Sequence, residues 1–265
     1  MSAWARIASR IFGTRERGEP ISAPVELQIG EYDVVYAVGD VHGCIDLATN
    51  LEAQIADDIG RSDAQNPLVL YLGDIVDRGP KSAHVLDLMA TRHPSFTRKC
   101  LRGNHEQFMI DFWDDPKNSL DWLEFGGAET LNSYGIYEER KFFERSSDAQ
   151  IAALLSASVP AEHLRTLRIL PHFAARGGYL FCHAGIDPNK PLAEQTAEDY
   201  MWARRRFLQH DGGYDAVVVH GHTPVGRAAI EFGRVSVDTG AHETGLLSCA
   251  KVIFPSGEVT LLTST

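Results

Sequence analysis

Short runs of β-branched and aliphatic residues recur along the chain and predict the strands of a sheet. Seven runs have this character: Val34–Val38, Leu68–Leu72, Tyr179–Cys182, Ala216–Val219, Val235–Val237, Leu246–Phe254 and Val259–Leu262. Apolar residues at helical spacing follow the first two of them: Leu47, Leu51, Ile55 and Ile59, and then Val85, Leu88 and Met89. Pro80 suits the first turn of the second helix. The early chain is predicted to run β-α-β-α-β and the later chain mainly to strands, which favours an α/β fold with a two-sheet core and flanking helices.

From Phe108 to about Leu170 the sequence becomes helical and aromatic, and Ser158–Glu162 has the pattern of a helix start. We interpret residues 108–170 as a helical insertion beside the functional site, within a single domain spanning 32–265. Residues 1–31 are predicted to form an N-terminal extension. Its first stretch, Met1 to Gly13, is basic, and its apolar residues at helical spacing predict a terminal helix that docks on the domain or frays; contact with a membrane or partner is the alternative.

The 265 residues carry a formal charge of −11 and a pI of about 5.4. Such an acidic chain is a poor general binder of nucleic acid, whose phosphates require a basic surface. Four cysteines without a C-x-x-C pair argue against a zinc knot or a disulfide framework and fit the cytoplasm. No apolar run approaches the roughly 20 residues of a membrane span, so no integral membrane segment is expected. The sequence leaves the oligomeric state open.

Polar motifs follow or lie near the strand-like runs, where the loops of α/β proteins bind ligands. Five motifs stand out: Gly39-Asp40-Val41-His42-Gly43, Gly73-Asp74-Ile75-Val76-Asp77-Arg78-Gly79, Arg102-Gly103-Asn104-His105-Glu106, His183-Ala184-Gly185 and Gly221-His222-Thr223-Pro224. Because all of them fall near strand ends, they could converge on one place.

The side chains of these motifs are those that divalent metal ions bind. Asp40 and His42, two residues apart, can offer an oxygen and a nitrogen to one ion. The carboxylate of Asp74 is placed to bridge two ions. Asn104 offers a neutral oxygen, and His105 then stands beside the metal at the position that a general acid needs.

Each motif in isolation also has a structural explanation. A capped turn explains the Asp40 motif, an exposed ion pair explains Asp77 and Arg78, and a lone buried histidine is more often a hydrogen-bonded core residue than a ligand. Six other histidines lack a motif and are expected to be structural: His84, His93, His172, His210, His220 and His242. The five motifs in one chain favour the chemical interpretation.

The series GDVHG, GDIVDRG, RGNHE, HAG and GHT resembles the phosphoprotein phosphatase family of the calcineurin-like metallophosphoesterases. The resemblance extends from about Val34 to Gly240. The string Arg102–Gln107 is particularly similar to the bacterial and phage branch, which includes lambda phosphatase. The implied fold is the two-sheet sandwich of that family.

The resemblance also implies a metal-ligand set. Asp40 and His42 would hold the first ion, Asn104, His183 and His222 the second, and Asp74 would bridge them. Many wider relatives have G-H-x-H where this chain has Pro224, so the first ion would keep three protein ligands, with water completing its shell. Manganese is the expected metal, and iron, zinc or magnesium could replace it.

The implied reaction is hydrolysis of a phosphomonoester. Two ions about 3.5–4 Å apart would activate a bridging hydroxide, which attacks phosphorus directly without a covalent intermediate. His105 would protonate the leaving oxygen, oriented by Asp77. Arg78 and Arg204 would hold the phosphoryl oxygens, and Arg102 is also assigned to substrate binding. A solvated basic face is the alternative for Arg204 and its two arginine neighbours.

The expected substrate is a phosphoprotein or a small phosphorylated molecule, most simply that of a serine/threonine protein phosphatase. The alternative is a symmetrical dinucleoside tetraphosphatase. The segment Arg78-Gly79-Pro80 followed by Ser82 resembles the pattern of that class of enzyme. Asp77, Arg102 and Glu106 favour the phosphatase. A pseudo-enzyme would have lost a ligand, and the motifs retain all six.

Overall fold

The computed structural model describes residues 23–210 and 213–264. Its strands are β1 (Glu26–Leu27), β2 (Val34–Val38), β3 (Pro67–Tyr71), β4 (Thr97–Cys100), β5 (Phe173–Arg176), β6 (Tyr179–Cys182), β7 (Val217–His220), β8 (Ala229–Glu231), β9 (Arg234–Ser236), β10 (Leu247–Ile253) and β11 (Glu258–Ser264). Its helices are α1 (Ile45–Gly60), α2 (Ser82–Ala90), α3 (Asn104–Asp114), α4 (Gly127–Ser133), α5 (Arg140–Arg145), α6 (Asp148–Ser158), α7 (Ala161–Ile169), α8 (Ala197–Trp202), α9 (Arg205–Leu208) and α10 (Ala241–Thr244), with 3₁₀ turns at Leu120–Phe125 and Leu192–Glu194.

The strands form two mixed sheets, which confirms the predicted two-sheet core. The five-stranded sheet has the order β11-β10-β2-β3-β4, and the six-stranded sheet has the order β1-β5-β6-β7-β9-β8. In the first sheet β2, β3 and β4 are parallel, and in the second β6, β7 and β9 are parallel. Each sheet therefore gathers the carboxyl ends of three strands, and the loops that follow them, at one edge.

The side chains of β2 divide between two layers because successive residues of a strand point to opposite faces. Val35 and Ala37 pack in the core between the sheets, together with Phe181 from the six-stranded sheet. Tyr36 and its even-numbered neighbours pack instead against α1 and the helices that follow α3. A third core lies on the outer face of the six-stranded sheet, where Phe207 and other side chains of the α8–α9 region cover it. The result is four layers, with helices outside both sheets.

The helical insertion begins earlier than the aromatic pattern predicted, because α3 starts at Asn104 rather than near Phe108. Its aromatic residues form its core: Phe112 packs against Trp122 and Phe143, with ring centroids 4.8 and 5.4 Å apart. The early start places Asn104 and His105 in the first turn of α3.

Strand β4 is the third strand of the predicted β-α-β-α-β order, but its position was not located because its sequence, Thr-Arg-Lys-Cys, has no apolar pattern. Arg98 within it is buried by pairing: its guanidinium donates to both carboxylate oxygens of Glu52, at 2.6 and 2.7 Å, and Tyr71 donates to the same carboxylate at 2.7 Å. A charge can be buried when it is paired in this way, which an apolar pattern cannot reveal. The short strands β1, β5 and β8 were missed as well.

The predicted terminal helix in Met1 to Gly13 lies outside the described residues. Two residues of the predicted extension, Glu26 and Leu27, pair with Phe173 and Ala174 of β5. None of the helices in residues 23–210 and 213–264 has the length and apolar character needed to cross a membrane.

Candidate metal centre

The six predicted metal ligands come together in the structure from loops of both sheets. Asp40 and His42 follow β2, Asp74 follows β3, Asn104 begins the helix after β4, His183 follows β6, and His222 follows β7. All six side chains are buried. In the described part of the chain, two groups of three titratable side chains have ligand atoms within 4.8 Å of one another: His42, Asp74 and His105, and Asp74, His183 and His222. Asp74 belongs to both groups, as a bridging ligand would.

The second group is arranged around His183. Its Nδ1 donates to the carbonyl of Leu72 at 3.1 Å, so its Nε2 faces the site. That atom lies 2.9 Å from Asn104 Oδ1, 3.0 Å from His222 Nδ1 and 3.3 Å from Asp74 Oδ2. Burial disfavours the charged ring, but Asp74 and other carboxylates outweigh it and raise the pKa of His183 to about 9. So many acceptors in one place require a positive charge, which either a proton or a metal ion can supply.

The first group contains a buried nitrogen that the described residues leave without a hydrogen bond. His42 Nδ1 donates to the carbonyl of Val76 at 2.7 Å, which leaves Nε2 facing the site without a partner. Burial and the neighbouring His105 lower the pKa of His42, so this nitrogen presents a lone pair. An unsatisfied buried nitrogen costs about 1–3 kcal/mol, and a metal ion satisfies it. The donor set therefore fits two divalent ions.

Asp40 lies between this group and the other sheet. Its two oxygens accept hydrogen bonds from the backbone N–H of His222 at 3.1 and 3.2 Å. Burial and the nearby carboxylate of Asp238 raise the pKa of Asp40. A cation would relieve both effects, because it stabilises the ionised carboxylate.

Beside the metal ligands, His105 is held by a buried carboxylate. Its Nδ1 donates to Asp77 Oδ2 at 2.7 Å, and Trp122 Nε1 donates to the same oxygen at 2.8 Å. Thr130 Oγ1 donates to the other oxygen, Oδ1, at 2.7 Å. Nε2 of His105 accepts a hydrogen bond from Arg78 at 3.0 Å. The predicted acid and its orienting carboxylate are thus in direct contact.

Two of the three predicted substrate arginines lie at the site. Arg78 contacts His105, and Arg204 Nε donates to His222 Nε2 at 2.8 Å. Burial and the positive charge of Arg78 lower the pKa of Arg204. Like charges brought together favour the binding of an anion.

The structure does not bring Arg102 into this group. Its guanidinium donates to Gln107 at 3.1 Å and to the carbonyls of Leu167 and Arg168 at 3.1 and 2.6 Å. These carbonyls are in the last turn of α7, where cationic side chains satisfy unpaired acceptors. The contacts of Arg102 are those of a helix cap rather than of a substrate ligand.

The backbone of the site is strained. Five residues other than glycine have positive φ in the described part of the chain: His42 (43°), Asp74 (51°), Asp77 (72°), Arg78 (65°) and His222 (66°). All five belong to the motifs. Such conformations are costly for residues with a Cβ and concentrate at functional sites, so the strain supports the assignment independently of the side chains.

Glu106 supports this strained backbone. It is fully buried, and its carboxylate accepts hydrogen bonds from the backbone N–H groups of Gly103, Asp74 and Ile75 at 2.8 Å and of Val76 at 3.3 Å. A Cβ on Gly103 would lie 2.2 Å from Asp74 Oδ1, so only glycine fits there. Glu106 thereby fixes the loop that carries the bridging carboxylate.

Sequence reasoning missed four residues of the site: Glu106 in its backbone role, Trp122, Thr130 and His242. A glutamate in the third position of a helix is a capping signal that could have found Glu106. Trp122 and Thr130 reach Asp77 from the helical insertion and carry no local signal. His242 was expected to be structural, but its ring lies against His42, with centroids 5.2 Å apart.

Residues 34–254 match the family model of the calcineurin-like phosphoesterases. The chain belongs to this family. It is 29% identical over 223 residues to serine/threonine-protein phosphatase 1 of Salmonella typhimurium, covering 82% of this chain and 91% of that protein. It is 27% identical over 239 residues to the asymmetrical bis(5'-nucleosyl)-tetraphosphatase PrpE of Halalkalibacterium halodurans, covering 86% and 92%. The crystal structure of a cold-active protein-tyrosine phosphatase from a Shewanella species superposes with a TM-score of 0.56 at 17% identity, covering 94% and 85%, which shows a shared fold.

Family membership and site geometry agree on the class of reaction. This calcineurin-like phosphoesterase is a hydrolase of phosphoric ester bonds, and its clustered histidines and carboxylates fit a dinuclear metal site.

Proposed function

We propose that this phosphoesterase is a serine/threonine protein phosphatase that requires two divalent ions, with Mn²⁺ as the expected metal. The observation that carries the proposal is the shared carboxylate of Asp74, which has an oxygen within 4.8 Å of the candidate ligand atoms of both groups. His42, Asp40 and Asp74 would hold one ion, and Asp74, Asn104, His183 and His222 the other. The mixed oxygen and nitrogen donors suit Mn²⁺, Fe and Zn²⁺.

When bound, the two ions supply an activated water and positive charge for the phosphoryl oxygens. The protein supplies position and a proton. Asp77 accepts from Nδ1 of His105, so Nε2 is the ring atom that holds the proton for the leaving oxygen. The negative carboxylate stabilises the protonated ring as well as orienting it.

Arg78 and Arg204 provide the forked donors for the phosphoryl oxygens, and their present contacts show how they become available. Each guanidinium donates to a ring nitrogen of the site, Arg78 to His105 and Arg204 to His222. A neutral histidine has one ring proton. When His105 gains a second proton at Nε2 while Nδ1 still donates to Asp77, or when the single proton of His222 lies on Nε2, the contact with the arginine ends and the guanidinium can turn to the phosphate.

Metal dependence is the first test. Chelation should abolish hydrolysis of p-nitrophenyl phosphate, and Mn²⁺ should restore it. Asp74→Asn should lower Mn²⁺ affinity at both sites in calorimetric titration. Asp46→Asn is the matched control, because Asp46 is 79% exposed on α1 and pairs with Lys81 away from the site. Full activity of protein that elemental analysis shows to be free of metal would refute the two-metal site.

Substrate choice is the second test, and it separates the proposal from a dinucleoside tetraphosphatase. The likeness to the PrpE protein, which is an asymmetrical rather than a symmetrical tetraphosphatase, favours a dinucleotide substrate, whereas the similarly extensive likeness to protein phosphatase 1 favours the proposal. We expect kcat/KM for a phosphoserine or phosphothreonine peptide to exceed that for diadenosine tetraphosphate in parallel assays with Mn²⁺. The reverse order would overturn the assignment to protein substrates while leaving the metal site intact.

We further propose that the enzyme works in the cytoplasm. Its four cysteines are free thiols, and three of them are buried. This is the state expected in a reducing compartment. Thiol titration of protein purified under argon should count four reduced cysteines in denaturant.

A further inference from the structure

A fifth imidazole, after those of His42, His105, His183 and His222, lies at the site on an element that none of the five motifs includes. His242 is in α10, directly after the loop at the carboxyl end of β9. That loop is fixed at both sides: Asp238 Oδ1 accepts from the N–H of Gly240 at 2.8 Å, and Thr239 Oγ1 donates to the carbonyl of Leu246 at 2.7 Å. Gly240 has φ 67°, which turns the chain into α10. The position of His242 is therefore set by the fold.

One ring nitrogen of His242 lacks a partner. Nδ1 is buried and makes no hydrogen bond among the described residues, while Nε2 lies 3.5 Å from an oxygen of Glu243. The side chain of His242 is 16% exposed and that of Glu243 77% exposed, so the contact with Glu243 is weak. A buried nitrogen without a partner is unfavourable, and a ligand of the site that approaches it would satisfy it.

The surroundings of His242 indicate which ligand that is. Its ring meets the ring of His42 at an angle of 80°, and the ring of His105 packs against the same His42 ring, with centroids 4.7 Å apart. Burial, followed by the positive charge of Arg78, lowers the pKa of His242, and His105 contributes in the same direction. The ring of His242 thus lies against His42, whose ring is also in contact with that of the acid, His105.

We infer that His242 contacts the leaving-group part of the substrate through its unpartnered Nδ1. The inference rests on the proposed function, since His105 marks the leaving-group side only if it protonates the leaving oxygen. A neutral imidazole can donate to a carbonyl or accept from an N–H. In a phosphopeptide, the backbone amide next to the phosphorylated side chain offers both groups. His242 would then help to determine specificity, whereas the arginines would bind the phosphate common to all substrates.

Binding measurements with the Mn²⁺-loaded enzyme test this without turnover. The probes are inorganic phosphate and a phosphoserine peptide whose ester oxygen is replaced by a methylene group. His242→Ala should raise the Kd of the peptide about five- to tenfold, the worth of one hydrogen bond. The Kd of phosphate and the calorimetric affinity for Mn²⁺ should stay within about twofold of wild type.

Two conservative variants identify the nitrogen. The amide of His242→Asn reaches about as far as Nδ1 and should restore most of the peptide affinity, whereas that of His242→Gln extends toward the Nε2 position and should not. Glu243→Gln is the matched control and should leave every constant unchanged.

Three results would overturn the inference. Equal losses for phosphate and peptide would place Nδ1 on the phosphoryl group, and weaker Mn²⁺ binding would make His242 part of the metal shell. An unchanged peptide Kd would show that it contacts nothing. Failure of the proposed function would give a different result. The wild-type enzyme would bind both probes but would not hydrolyse a phosphopeptide that retains its ester oxygen.

Discussion

Replacing Thr130 with valine should impair the acid without touching any metal ligand. Thr130 is fully buried, and its hydroxyl donates to Asp77 Oδ1 at 2.7 Å while accepting from the backbone N–H of Asp77 at 2.8 Å. Valine has nearly the same shape, so the substitution removes these two hydrogen bonds, together with the 3.0 Å hydrogen bond between the hydroxyls of Thr130 and Ser82, and leaves the packing almost unchanged. The carboxylate of Asp77 orients the ring of His105. Any increase in the mobility of Asp77 therefore also makes the orientation of the general acid less well defined.

The size of the effect follows from what remains. Asp77 Oδ2 keeps its two donors, His105 Nδ1 and Trp122 Nε1, and the N–H of Asp77 keeps Ser82 Oγ at 3.0 Å. The net loss is one hydrogen bond to a buried carboxylate, worth about 1.5–3 kcal/mol. If most of this is expressed in the transition state, kcat falls about 10- to 100-fold, which is the usual range for supporting residues of a site.

The assay compares two leaving groups and a matched variant. For Thr130→Val the loss in kcat should be larger with phenyl phosphate than with p-nitrophenyl phosphate, because a good leaving group needs less protonation. Thr130→Ser keeps the hydroxyl and should retain at least half of the activity, although it loses a buried methyl group worth about 1 kcal/mol of stability. Mn²⁺ affinity should not change in either variant. An identical loss with both substrates, or in both variants, would refute a path from Thr130 through Asp77 to the acid.

Three further substitutions test other parts of the site and fold. His105→Asn should lower kcat about 10²–10⁴-fold at unchanged metal content, again less for p-nitrophenyl phosphate; equal losses for the two esters would exclude the acid role. Arg204→Ala should reduce kcat/KM by the equivalent of about 2–4 kcal/mol, and Arg205→Ala by less than about 0.5 kcal/mol. Similar effects of the two substitutions would mean that both arginines belong to an exposed basic surface. Burial and the charge of Arg102 lower the pKa of His172 from 6.5 to about 4 in the folded protein. As the pH decreases, His172 is therefore protonated in the unfolded chain before it is protonated in the folded one. As the pH decreases from 6.5 to about 4, the free energy of unfolding should therefore decrease by at most about 3 kcal/mol. His172→Asn should make this pH dependence shallower in urea titrations. An unchanged pH dependence in the variant would contradict the assignment.

The strands and the site were predictable from the sequence for the same reason. Buried parallel strands appear as uninterrupted apolar runs, and Val34–Val38 is such a run and forms β2 with those bounds. The loops at the ends of these runs carry the motifs, so locating a strand also located its ligands. Asp40, Asp74 and His183 could be assigned in this way without any knowledge of the sheet order.

The unpredicted features depend on pairing between distant residues. Arg98 is buried in β4 because Glu52 of α1 neutralises it, and Trp122 reaches Asp77 across 45 positions of sequence. The apolar and polar pattern of a segment indicates which of its own residues share a face, but it does not indicate which distant residue packs against that face. Arg102 was assigned to substrate binding from its place in a motif, and the sequence did not indicate that its guanidinium donates to the carbonyls of Leu167 and Arg168 in the last turn of α7.

The strained backbone explains why the ligand positions can exist before any metal binds. Each of the five residues with positive φ costs of order 1 kcal/mol, and several carboxylates are buried close together. Neither is stable unless other contacts impose it. Glu106 imposes the Asp74 loop through four backbone N–H groups, and backbone N–H of His222 holds Asp40 from the opposite sheet. The contacts of Glu106 use the main chain of the Asp74 loop rather than its carboxylate, so that carboxylate stays directed at the site. The hydrogen bond of His42 Nδ1 to the carbonyl of Val76 likewise leaves its Nε2 directed at the site. The surrounding fold thus compensates for the unfavourable backbone conformations of the motif residues, which these residues would not adopt in isolation.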